Sequence, residues 1–246
     1  MLNKTKLKDI FFMNKQIITM NVVFAFLLVF SSLQCSKDKN PVVENNIGNN
    51  TITWNTVFSD NFQRADGPNI GNYSVQVGCD GNGVASISNV QLKFAGSGCW
   101  AIRDSSEVAA DTVRVSVAYT IVAGNPGFGI AAKSKNLGNN WVNQEFYLFA
   151  ADFQGIKIYR CQGTTPVVLI SKSYNIQTSH TYKLQLMTIN KDLTGYIQDL
   201  AGGPKDSLNV TDNGSLLKGT IVSFNGYDNA ITDTLLLDDF KIETGK

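Results

Sequence analysis

Val113-Arg-Val-Ser-Val-Ala-Tyr-Thr-Ile121 alternates apolar and polar side chains over nine residues. A period of two places Val113, Val115, Val117, Tyr119 and Ile121 on one face and the more polar residues on the other, which is the signature of a half-buried strand. The pattern recurs on either side. Tyr182, Leu184 and Leu186 alternate with Lys183 and Gln185, and Ile156 and Ile158 alternate with Lys157 and Tyr159. Turn clusters punctuate these runs: Asp66-Gly-Pro68, Asp80-Gly-Asn-Gly83, Gly124-Asn-Pro-Gly127, Gly138-Asn-Asn140, Gly202-Gly-Pro204 and Asp212-Asn-Gly214. Past the N-terminal segment no stretch carries an apolar stripe at helical spacing. About a dozen short antiparallel strands must therefore cover each other's apolar faces, which predicts an all-β, two-sheet antiparallel sandwich.

Upstream of this body the chain changes character. Lys4, Lys6, Lys8 and Lys15 precede an apolar run from Ile17 to Phe30. That run has the length of a signal-peptide core and falls short of the roughly 20 residues a spanning helix needs. Translation from Met13 would also give a complete leader. Cys35 follows, then the polar Ser-Lys-Asp-Lys-Asn40. Ser32-Leu-Gln-Cys35 resembles the lipobox of bacterial lipoproteins, with Gln34 larger than the pattern prefers. The expectation is a lipoprotein signal peptide over 1–34, lipidation of Cys35, a flexible tether over 35–50 and a β-sandwich over 51–246. Acyl chains on Cys35 would hold the protein on a membrane, expected to be an outer membrane or cell surface, each buried methylene contributing about 0.8 kcal/mol. The tether is too polar to bury a core of its own.

Composition narrows the partners. With the first 34 residues removed, 17 basic and 19 acidic side chains remain, a net charge of −2. No basic stripe is present, so nucleic acid is excluded as a partner. Glu occurs only at positions 44, 107, 145 and 243, and the abundance of Thr, Val, Gly and aromatics favours strands and turns. Cys79 and Cys99 flank a Gly-Asn-rich stretch. A bridge between them would close a loop of about 20 residues and stabilise by roughly 3 kcal/mol; the alternative is that both, with Cys161, are buried thiols.

Phe58-Ser-Asp-Asn-Phe-Gln-Arg-Ala-Asp-Gly67 resembles the opening strand and turn of bacterial LamG-like, or concanavalin A-like lectin/glucanase, jelly rolls, with Gln63 in place of the family's usual Asn. Leu237-Asp-Asp-Phe-Lys-Ile242 resembles their closing strand. Gly127-Phe-Gly-Ile-Ala-Ala132, Glu145-Phe-Tyr-Leu-Phe149 and His180-Thr-Tyr-Lys-Leu-Gln-Leu186 fall between them in the family's order, and the similarity spans about residues 56–244. The resemblance implies a jelly roll with adjacent terminal strands and, often, carbohydrate binding. It does not imply catalysis.

Four sets of residues are site candidates. Asp60, in step with Phe58 and Phe62, and Asp238, in step with Leu236, Phe240 and Ile242, would place two carboxylates near the core on neighbouring strands, where a structural calcium ion would compensate them. Alternatively Asp60 pairs with Arg64 or caps a turn, and Asp238 sits at a strand end in water. Trp141, Tyr147 and Tyr159 form a candidate sugar platform, since pyranose faces pack on aromatic rings; the competing reading is core. Glu145 and Asp152 are carboxyls for a glycosidase or lyase alternative, although the Glu-x-Asp-x-x-Glu string of the related glucanases is missing. His180, the only histidine, cannot by itself build a zinc site or a Ser-His-Asp site. The functional expectation is a non-catalytic carbohydrate- or polymer-binding module, with a glycoside hydrolase or polysaccharide lyase and a structural or adhesive envelope module as alternatives.

Overall fold

In a computed structural model that describes residues 52–77, 84–96, 99–104, 110–135, 144–163, 166–227 and 233–246, the alternating runs form strands as their pattern dictates. The leader, Cys35 and the tether lie outside the described residues. The strands are β1 (Trp54–Asp60), β2 (Ser74–Val77), β3 (Val84–Ser88), β4 (Gln91–Ala95), β5 (Cys99–Asp104), β6 (Thr112–Ala123), β7 (Gly127–Lys135) and β8 (Gln144–Asp152). They continue with β9 (Gly155–Gly163), β10 (Pro166–Lys172), β11 (Thr181–Ile189), β12 (Asp192–Asp199), β13 (Lys205–Thr211), β14 (Ile221–Tyr227) and β15 (Thr234–Gly245).

They make two antiparallel sheets, as expected from the sequence. One has eight strands in the order β13-β12-β11-β6-β15-β4-β3, with β1 also paired to β15; the other has seven in the order β10-β9-β8-β7-β14-β5-β2. The first and last strands lie side by side, Trp54 opposite Gly245 and Asp60 opposite Phe240. Backbone hydrogen bonds of 3.1 Å in both directions between Thr53 and Lys246 extend that pairing.

The inner faces supply the core. Val113, Val115, Val117, Tyr119 and Ile121 are all buried, as are Tyr182, Leu184 and Leu186 on β11 beside them. From the seven-stranded sheet Phe128, Ile130, Tyr147, Phe149, Ile156, Ile158, Val222 and Phe224 face them in the same cluster. Where Phe149 meets β12 only glycine fits: a Cβ on Gly195 would come within 2.4 Å of the Phe149 ring. The edge holding β1 and β2 is closed by aromatics. Phe224 lies 4.7 Å from Phe240 and 6.2 Å from Phe62 between ring centroids, and Tyr73 is 5.4 Å from Phe224.

One expectation about strand faces is corrected. Asp238 does not share a face with Phe240 and Ile242. Leu235 and Leu237 point inward, and the register with β6 then slips between Asp238 and Lys241, where Asp239 takes a left-handed φ of 51°. This bulge resets the alternation, so that Phe240 and Ile242 are also inward and Asp238 lies with Leu236 on the outer face.

Candidate functional site

At β7 and β8 the seven-stranded sheet buries both of its faces. Tyr147, Phe149 and Ala151 of β8 enter the sandwich core, while Phe146, Leu148 and Ala150 point the other way into a second apolar cluster with Ala131 and Cys161, against which Tyr159 packs. Strand register lays this outer face out in rows. Val168, Tyr159, Leu148, Ala131 and Ser223 follow one another across β10, β9, β8, β7 and β14; Ser171, Lys157, Ala150 and Gly129 form the next row. Solvent reaches the β10 side of the face, where Val168 is 47% exposed and Tyr159 half-buried, and is shut out from Ala131 and Ser223.

Of the proposed aromatic platform, the two described members are parted. Tyr147 stands opposite Arg160 and Tyr159 opposite Leu148. Because successive residues of a strand face opposite ways, Tyr147 points into the core and Tyr159 away from it. Tyr147 is fully buried, its phenol donating to Asp212 Oδ2 at 2.6 Å. Burial pushes its pKa up, partly offset by a Leu217 backbone hydrogen bond and by Arg160. It is a core residue and offers no ring to a ligand. Tyr159 keeps the outward position; burial raises its pKa too, with Lys157 opposing. Trp141 lies outside the described residues.

A buried polar group that the sequence reading missed holds the passage from β13 to β14. The Arg160 guanidinium is hydrogen-bonded through Nη1 to Asp212 Oδ2 and through Nη2 to Gln162 Oε1 (3.0 Å) and Ser215 Oγ (3.2 Å). Gly214 N donates to Asp212 Oδ1 at 2.9 Å. The Asp212-Asn-Gly214 turn signal was visible; its pairing with an arginine 52 positions earlier had no local mark.

The candidate calcium carboxylates sit in unlike places. Asp60 is supplied by protein donors alone: Phe62 N to Oδ1 (2.8 Å), and Arg64 Nη2 (2.7 Å) and Tyr73 OH (3.0 Å) to Oδ2. Asp238 lies across the bulge on the outer face of the eight-stranded sheet, its carboxyl pushed up by burial and by neighbouring Asp239 and Asp60, against hydrogen bonds from Asp239 N and Gln91. Among the described residues no group of three or more His, Cys, Asp and Glu is placed to hold a metal ion.

Glu145 and Asp152 do not converge. They mark opposite ends of β8, seven residues or about 24 Å apart at strand rise, and alternation turns them to opposite faces. Glycoside hydrolysis needs two carboxyls about 5–9.5 Å apart. Asp152 instead pairs with Lys157 Nζ at 3.1 Å and accepts from Gln154 N at 2.8 Å, closing the β8–β9 turn. His180 precedes β11, its Nδ1 2.7 Å from Asp199 Oδ2, and stacks on Tyr182. Cys161 is a free, buried thiol on the outer face. Cys79 and the side chain of Cys99 lie outside the described residues.

No family model matches this sequence, and no curated protein matches it. Solved structures do. A protein of unknown function with a galectin-like fold from Bacillus subtilis superposes with a TM-score of 0.59 at 8% identity, covering 79% of this chain and 99% of that one. Lectin II from Ulex europaeus gives 0.54 at 13% identity, covering 78% and 100%. The winged bean acidic lectin, solved with methyl-α-D-galactose, gives 0.53 at 10% identity, covering 77% and 99%. At such identities the likeness concerns the fold alone: this chain has the jelly-roll β-sandwich of galectins and lectins.

Proposed function

We propose that this protein is an exported lipoprotein, tethered through Cys35, whose sandwich binds a carbohydrate or hydroxylated polymer without transforming it. The observation that carries the binding reading is the outer face of the seven-stranded sheet. There Tyr159 lies half-buried against the apolar Phe146–Leu148–Cys161 cluster, beside a Lys157–Asp152 pair. An aromatic ring fixed by packing, next to polar groups, suits a sugar's combination of an apolar face and a hydroxyl rim. Solved relatives in fold include lectins, one of them bound to methyl-α-D-galactose, which supports the reading by analogy only. Glu145 and Asp152, the carboxyls on which the hydrolase alternative rested, stand about 24 Å apart at strand rise and on opposite faces, so that pair does not support hydrolysis.

Two experiments test the parts separately. Metabolic labelling with an alkyne fatty acid should tag the wild-type chain and leave Cys35→Ser untagged; equal labelling removes the anchor. Binding to a glycan array should be lost or weakened about tenfold in Tyr159→Ala and retained in Tyr147→Phe, a stacked aromatic being worth roughly 0.5–1.5 kcal/mol beyond its area. Retained binding in Tyr159→Ala would move the site off this face.

A further inference from the structure

The other side of the sandwich carries a second patch, on the outer face of the eight-stranded sheet. Lys183 lies between the inward Tyr182 and Leu184, and Gln198 follows the inward Ile197, so both point outward. Register sets Lys183 opposite Gln198 and Gln198 opposite Lys205, one row across β11, β12 and β13. The next row holds Gln185, Tyr196 and Ser207, with Ser116 of β6 beside Gln185. Solvent reaches both rows: Lys205 and Ser207 are exposed, and Lys183, Gln185, Tyr196 and Gln198 are half-buried.

The first row is built of donors. Tyr196 OH donates to Gln198 Oε1 at 3.1 Å, which occupies the amide's acceptor and leaves its NH2 group between two ammonium groups that only donate. Among the described residues neither Lys183 nor Lys205 has a carboxylate within ion-pair distance. Acids close by are committed elsewhere: Arg114 and Lys241 share Glu243 at 2.6 and 2.7 Å, and Lys172 holds Asp206 at 2.6 Å. Asp238 stands two strands from Lys183, beyond Ala118. Burial, joined by Lys241 and Arg114 and only partly opposed by Asp239 and Glu243, pushes the Lys183 pKa down. An anion seated beside this ammonium would relieve that cost. An ionised carboxylate is acceptor-only and matches such a row, whereas a hydroxyl brings a donor that finds no acceptor in it.

We propose that Lys183, Gln198 and Lys205 form a carboxylate subsite for a uronate-containing saccharide, whose ring packs on Tyr196 and whose hydroxyls meet Gln185 and Ser207. Lying on the opposite sheet from Tyr159, this site stands or falls apart from the reading of that face. The test is isothermal titration of the full chain with tetrasaccharides of galacturonate, mannuronate and glucuronate, each beside its neutral counterpart. At least one uronate should bind about tenfold or more tighter than its neutral counterpart, and more weakly as salt is raised. Lys183→Gln and Lys205→Gln should each weaken that binding about five- to tenfold, the loss expected for one charge-assisted hydrogen bond. Their thermal midpoints should stay level, since neither lysine has an ion pair to lose, and Tyr159→Ala should leave uronate binding unchanged. Unaltered affinity in both lysine variants would overturn the proposal, as would equal binding of the neutral sugars. Loss of uronate binding in Tyr159→Ala alone would place the ligand on the other sheet, overturning this site and supporting that one. If no uronate gives heat, this proposal falls and the Tyr159 reading is untouched. Lysine-dependent binding to phosphatidylglycerol vesicles, with none to the uronates, would make the patch a lipid-facing surface and overturn the proposal as well.

Discussion

Tyr73 donates its phenol to Asp60 Oδ2 across 3.0 Å, and by this contact the loop after β1 is fastened to the strand it leaves. Arg64 reaches the same oxygen at 2.7 Å, and Phe62 N reaches Oδ1 at 2.8 Å. The last bond holds Phe62 in a left-handed conformation, φ 52°, with its ring fully buried. Such a backbone costs on the order of 1–3 kcal/mol in a bulky residue, and the buried ring and the three bonds to Asp60 offset it. The Phe58-x-Asp-x-Phe-x-Arg64 string is thus a device for closing the edge of the sandwich.

Replacing Asp60 with Ala should therefore destabilise the domain by about 3–5 kcal/mol, because Arg64 and Tyr73 lose their partner in a half-buried site. Asp60→Asn, which keeps an acceptor oxygen, should fall short of that. Urea unfolding monitored by fluorescence measures both. Since Arg64 already supplies positive charge, a calcium chelator should leave the thermal midpoint of the wild type unchanged.

The strands were legible because β6, β9 and β11 carry clean alternation, whereas the adjacency of the termini followed only from the resemblance of the first and last strands to the jelly-roll pattern. β8 was not, since Glu145-Phe-Tyr-Leu-Phe-Ala-Ala151 is apolar on both faces and period two then has no phase. That is why Tyr147 and Tyr159 could be grouped from sequence although they point to opposite sides. Asp238 failed differently: the bulge at Asp239 reverses parity within β15, and Asp-Asp in a strand does not announce a bulge. The buried side-chain oxygens of Ser134, Ser223 and Gln144, which have no hydrogen-bond partner, were invisible for a third reason. They come from three strands, and only the sheet's register assembles them.

Arg160 and Asp212 make a second testable pair. Both are buried, and the pair spans from β9 to the segment that leads from one sheet to the other. Asp212→Ala strands a buried guanidinium and should cost about 3–5 kcal/mol, whereas the double replacement Arg160→Met with Asp212→Leu should recover much of the loss. A double-mutant cycle read by chemical denaturation gives the coupling; additive single effects would deny it.

High pH should unfold this protein early. Burial raises the phenol pKa of Tyr73, with Asp60 adding to it, and pushes Tyr174 up to about 12; Tyr147, Tyr182 and Tyr196 shift upward for the same reason. In the unfolded chain these phenols ionise near pH 10. Between about pH 10 and 12 the unfolded state therefore holds fewer protons than the folded one, and stability falls as pH rises, by about 1.4 kcal/mol per pH unit for each phenol kept protonated. Below pH 10 the contribution is complete. Urea midpoints at pH 8, 10 and 11.5 should drop over the last interval, and phenolate absorbance should rise in step with unfolding instead of before it.

Cys161 offers a direct check on the outer face. Its thiol is free, 2% exposed and packed with Phe146, Leu148 and Ala150. Burial raises its pKa above the usual thiol value, so the reactive thiolate is scarce as well as shielded. In the folded protein, N-ethylmaleimide should leave this residue unmodified, and labelling should appear only with denaturant, at the rate of opening. Mass spectrometry of the peptide containing Cys161 resolves it from the other cysteines. A bound saccharide on this face should slow the labelling further at sub-denaturing urea, since a ligand held by the folded state lowers the population of open forms. Rapid modification in native buffer would mean that the cluster is not closed, and the register that places Tyr159 and Ser223 on one face would need revision.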